Sequence, residues 1–175
     1  RKIINGFQHE NPSASIPALV NIYSTIERQL QKEKDNRKKY WLQQKLTAIE
    51  KIIFQSSGIY AEAIADRQFA VTGDSLMVTL AIVNRGNQNF SSAKFIYNNR
   101  EYPVENSKQN ILFKIPVKHL VTEDATTPQP YWLRKPKAEG YFNIDDTTLT
   151  GTPENKDERV VLKIMYGDKE FSFPI

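Results

Sequence analysis

At Gly58 the spacing of apolar residues changes, and with it the kind of structure each part of the chain can form. Upstream, Ile16, Leu19, Val20, Tyr23, Ile26 and Leu30 recur at intervals of three and four, the pattern of a helix with one apolar face. Ser13 or Ser15 is placed to cap it, and Pro17 falls in the first turn, where its missing N–H has no partner to lose. A polar stretch, Gln31 to Lys39, comes next. Then Trp41, Leu42, Lys45, Leu46, Ala48, Ile49, Ile52 and Ile53 form a second helical stripe, which Gly58 can end. Two such helices with a short polar link pair antiparallel, so residues 1–57 read as a helical hairpin.

Downstream the period is two. Ile59, Ala61, Ala63 and Ala65 alternate with Tyr60, Glu62, Ile64 and Asp66, and Leu76, Val78, Leu80 and Ile82 alternate with Met77, Thr79, Ala81 and Val83. Further strand candidates are AKFIYN, REYPVE, NILFKIPV, YFNI, RVVLKIMY and KEFSFPI. Turn residues separate them at Thr72-Gly73-Asp74, Asn84-Arg85-Gly86-Asn87, Asn98-Asn99 and Gly167-Asp168. Some eight short strands with no long helix among them describe a mainly β unit over residues 58–175, an antiparallel immunoglobulin-like β-sandwich.

Composition narrows the chemistry. The chain has 175 residues and no cysteine, which excludes disulfides, thiolate metal sites and a cysteine nucleophile. No apolar run reaches the roughly 20 residues of a membrane span, and the first residues hold no signal-like stretch. The chain opens without methionine and stops in EFSFPI, a strand in progress, so it reads as an excerpt of a longer protein. The basic excess lies in the first third: residues 1–57 carry ten Lys or Arg against five Asp or Glu, and the remainder fourteen against fifteen. The densest run, Arg28 to Lys39, contains Glu33 and Asp35 and reads as a solvated helix end and not as a nucleic-acid site.

No catalytic set is visible. His9 and His119 stand far apart without a second histidine or carboxylate at ligand spacing, and no zinc-protease, nucleophile-elbow, P-loop or dinucleotide pattern occurs. The pairs Asp145-Asp146 and Asp157-Glu158 lie in turn-rich sequence and read as solvated turn acids. Aromatic residues remain. Most fall at strand positions and belong in a sandwich core, but Tyr131 and Trp132 sit between prolines in TTPQPYWLRKP, which should hold them extended. With Gln129 and Arg134 they could form a platform for a sugar ring, since an aromatic face stacks on the ring while a guanidinium binds hydroxyls. The other reading is that Trp132 turns inward and plugs the end of the sandwich.

Taken in order, the segments RKIINGFQHENPSASIPALVNIYSTIE, GIYAEAIADRQFAVTGDSLMVTLAIVNRG, TPQPYWLRKPKAEGYFNI and LTGTPENKDERVVLKIMYGDKEFSFPI resemble the non-catalytic region that follows the deacetylase domain in large bacterial PIG-L/LmbE-type proteins. Gly58 to Ala65, Thr72-Gly73-Asp74, Asn84-Arg85, Gln129 to Leu133 and Gly151-Thr152-Pro153 fill the family's slots, with Thr72 where the family has proline. The resemblance implies a parent that hydrolyses N-acetyl groups of amino sugars with zinc, held by an A-H-P-D-D-type motif that this sequence lacks. No catalytic or zinc residue carries over. What it implies here is an accessory region without a cofactor of its own, with the upstream catalytic domain as its partner and a periplasmic or secreted setting. A carbohydrate-binding module is the alternative, and so is an interaction scaffold meeting an acidic partner through Arg37-Lys38-Lys39.

Overall fold

The computed structural model describes residues 2–87, 90–105, 108–123, 130–151 and 160–175. Three α-helices come first: a short α1 (Lys2–Asn5), then α2 (Ile16–Lys32) and α3 (Asn36–Ser57). The link between α2 and α3 is only three residues long, so Arg37, Lys38 and Lys39 are helical and not part of a polar loop. Asp35 starts α3 by accepting the Lys38 N–H at 3.0 Å, and Gly58 stops it in the left-handed conformation, φ 70°. Ser15 stands at the N-cap of α2, but its side chain does not bond there.

Seven strands follow among the described residues: β1 (Ile59–Ala65), β2 (Ser75–Asn84), β3 (Ser92–Tyr97), β4 (Arg100–Pro103), β5 (Leu112–Leu120), β6 (Val161–Tyr166) and β7 (Lys169–Pro174). They form two antiparallel sheets, one ordered β1-β2-β5 and the other β4-β3-β6-β7. YFNI is not a strand and contributes only a single bridge, Ala138 to Tyr141. Helix and strand therefore take comparable shares of the chain, and its content is less dominated by β-structure than the strand count suggested.

The alternation decides which side chains turn inward. From the three-stranded sheet Val78, Leu80, Ile82 and Val117 are buried; from the four-stranded sheet Phe95, Tyr97, Leu162, Ile164, Tyr166, Phe171 and Phe173 are. Ile16 and Leu19 of α2 and Ile53 of α3 belong to the same cluster, so helices and sheets share one core. The helices cover the β7 side of the four-stranded sheet. Tyr23 packs edge-on against Phe171 at 5.0 Å, Phe54 lies 4.7 Å from Phe173, and the Lys169 ammonium meets the Glu27 carboxylate.

The hairpin is fastened to the sheets where helix becomes strand. Gly58 and Gly86 pass so closely that a Cβ on Gly86 would stand 1.9 Å from the Ser57 carbonyl oxygen. The Arg85 N–H donates to the Gly58 carbonyl at 2.9 Å. Buried Ser57 donates to the Phe54 carbonyl at 2.6 Å and accepts the Ile59 N–H at 3.0 Å, while Ser13, also buried, accepts the Asn87 N–H at 3.3 Å. Among the described residues every buried side-chain nitrogen and oxygen has a hydrogen-bond partner, those of this junction included.

Candidate functional site

Pro130 is extended, with ψ 140°, but the chain then turns into a short 3-10 helix, Tyr131–Leu133, closed by the Leu133 N–H on the Pro130 carbonyl at 2.9 Å. The expected extended crossing is therefore a turn. Proline fixes only its own φ and biases the residue before it, which leaves the two residues after Pro130 free to coil. The 3-10 turn sets the Tyr131 and Trp132 rings edge to face, 4.9 Å apart. Both rings are half-buried, and neither belongs to the core or to the residues packed against it.

The surroundings are open and carry apolar and aromatic side chains as well as charges. Leu133, Arg134, Tyr141 and Phe142 are exposed, and the Lys137 ammonium lies 5.8 Å from the centre of the Phe142 ring. The Tyr131 hydroxyl accepts the Gly151 N–H at 3.2 Å, which ties together two points of this connection that lie 20 residues apart. Asp145 pairs with Lys135. Asp146 caps the turn Thr147–Leu149 by accepting from the Thr148 hydroxyl at 2.6 Å and its N–H at 2.9 Å. Those bonds hold the Asp146 carboxyl below its ordinary range, with nearby Arg134 adding to the effect. Both acids are thus engaged in shaping the loop. Of the four candidate residues, Tyr131, Trp132 and Arg134 lie together on this surface, and Gln129 falls outside the described residues, as do Asp157 and Glu158.

The histidines stay apart. His9 packs edge-on against Phe7 at 5.2 Å, and His119, on β5, lies beside Asn98 with its ring 5.6 Å from Tyr97. Among the described residues no three His, Asp or Glu side chains converge as a metal site would require.

A second surface went unread in the sequence. Trp41, placed by its period in a buried stripe, is 56% exposed, and Tyr40 beside it is 58% exposed. Their rings contact edge to face at 5.4 Å. Lys45, standing within the same apolar stripe, was the signal that the stripe does not stay buried along its length. A third surface is the outer side of the three-stranded sheet, where Tyr60, Ile64, Met77, Leu112 and Leu120 are exposed.

Comparison with known proteins returned no family model, no curated protein and no solved structure similar to this chain.

Proposed function

We propose that this chain is a non-catalytic accessory region of a PIG-L/LmbE-like N-acetylglucosamine deacetylase, a zinc hydrolase whose catalytic domain lies outside the segment. The deacetylase part of this reading rests on the sequence resemblance alone, and the observation that supports an accessory, positioning role is the junction at Gly58 and Gly86. A helical hairpin locked at a fixed angle to a pair of β-sheets is suited to holding a neighbouring domain in place. The division into a hairpin, 1–57, and a sandwich, 58–175, and the immunoglobulin-like character of the sandwich belong to the same proposal. The strand order supports them, because the chain changes sheets after β2, β4 and β5 as Greek-key sandwiches do. Zinc is assigned to the parent alone. His9 and His119, each against aromatic or amide neighbours, do not fit a site for it. The partner is then the catalytic domain of the same protein, and the setting periplasmic or secreted. Assaying residues 1–175 with zinc on N-acetylated sugars tests this: no acetate should be released, and turnover that copurifies with the segment overturns the reading.

A second reading, a carbohydrate-binding module, is favoured by one observation. The Tyr131–Trp132 pair lies outside the core, next to exposed Arg134, on a segment in which no described residue is buried. Trp132→Ala should abolish binding on a glycan array while the protein stays folded. Retained binding removes this reading.

A further inference from the structure

The far end of the helical hairpin has a chemistry of its own. Between Arg28 and Lys45 the chain carries seven Lys or Arg against two acids, Glu33 and Asp35. Both acids are already engaged. Glu33 accepts the N–H groups of Lys34 and Asp35 at 2.9 and 3.0 Å, and Asp35 caps α3. Among the described residues none of the seven cations forms an ion pair. Among the described residues the last ion pair of α2 to the sheets is Glu27 on Lys169, and no residue from Arg28 to Lys45 is buried. At 1.5 Å per residue the hairpin overhangs that anchor by about 8 Å. Its side carries an open cleft of about 510 Å³ whose lining includes Lys32, Lys38, Lys45 and Trp41, with Glu33, already bonded to backbone N–H groups, as the acid among them.

We propose that this overhanging end binds the surface of an anionic lipid bilayer. Three of the cations, Lys32, Lys38 and Lys45, line one cleft beside Trp41, so an anionic surface laid against that side meets them together. Lys38 and Lys45 stand two helical turns apart, about 10 Å, on either side of Trp41 in the cleft lining, so a phosphate-bearing headgroup and the aromatic ring can be met together. Tyr40 and Trp41 expose amphipathic rings at the same level, where the interface between headgroups and acyl chains accepts them. A polybasic cluster on a helix draws its affinity from the surface charge of such a membrane and loses it when salt screens that charge. Binding here is peripheral, and no helix among the described residues is long and apolar enough to cross a membrane.

The test is cosedimentation of residues 1–175 with vesicles of phosphatidylcholine, with and without phosphatidylglycerol. Binding should require the anionic lipid and vanish near 1 M salt, where the screening length is about 3 Å. The exposed triple change Lys32→Gln, Lys38→Gln and Lys45→Gln should lower the partition coefficient on the order of a hundredfold. In a Trp132→Phe background the emission of Trp41 should shift to the blue on binding. Absent binding, equal binding to neutral vesicles or indifference to the triple change overturns the proposal. So does tighter binding, through the same lysines, to a single-stranded oligonucleotide at the same salt.

Discussion

Gly86→Ala isolates the junction between helices and sheets. The added Cβ would meet the Ser57 carbonyl oxygen at 1.9 Å and its carbon at 3.0 Å, far inside any ordinary contact. Gly86 does not have a positive φ, so alanine suits its backbone and the whole cost comes from the contact. The obstacle is backbone at the end of a 22-residue helix, which cannot swing aside as a side chain would. Overpacking costs about 1–3 kcal/mol, and a rigid obstacle at this distance puts Gly86→Ala near 3 kcal/mol. For a chain of this size that lowers the melting temperature by about 6–12 °C. Gly73→Ala is the control: its φ is +91° and its Cβ would meet nothing within 4 Å, so only the left-handed backbone penalises it, by about 1 kcal/mol. Gly58→Ala pushes on the same place, its Cβ 2.7 Å from the Gly86 nitrogen. The double change should therefore cost less than the two single changes added together. Denaturant melts of the four variants give all the required values. Gly86→Ala as stable as Gly73→Ala, or full additivity with Gly58→Ala, would refute a close-packed junction.

Other expectations follow from individual side chains. Phe171→Ala, which empties the space between Tyr23, Tyr166 and Phe173, should cost about 3–5 kcal/mol by chemical denaturation. Trp132→Ala should cost well under that range, because its ring is only half-buried; a loss of the full 3–5 kcal/mol would mean that it is a core residue after all. Asp35→Ala removes the cap of α3 and should cost about 1 kcal/mol, visible as a lower denaturation midpoint. Burial pushes the Tyr166 hydroxyl up to about 12 from its ordinary 10. The neutral form is thus favoured by folding, and this contribution is complete below pH 10 and lost as pH climbs toward 12. Tyr166→Phe should flatten the fall of stability across that window, and an unchanged slope in alkaline melts counts against the burial argument.

Much of the fold was legible because it rests on period. Alternation over Ser75–Asn84 and the three-and-four spacing over Ile16–Lys32 depend only on which side of an element faces the core. Turn chemistry was equally local: Asn98 and Asn99 adopt φ 49° and 57°, and Gly167 adopts φ 66°, as tight strand turns need. Period says which face is apolar, but not how far the partner surface extends. Trp41 lies on the expected stripe and is exposed because the sheets end before it. Ala81 and Val83 show the converse. They sit on the outer side of β2 yet are buried, since Ala81 is flanked by Glu62 and Lys114, and Val83 by Tyr60 and Leu112. The contact of Ser57 with Gly86 joins two turns and leaves no periodic trace. At the candidate site, Tyr131, Trp132 and Arg134 come together because they are adjacent, while their turn and half-burial depend on contacts with Gly151 and on the shape of the whole connection.

The proposed accessory role is tested most directly by measuring acetate release from N-acetylglucosamine oligomers by the longer deacetylase that the proposal requires, with and without the present 175 residues. The account predicts zinc-dependent release that survives removal of the segment on short substrates, with its loss felt in binding or positioning of long ones. A parent that releases no acetate, or one whose chemistry on short substrates disappears with the segment, would contradict it.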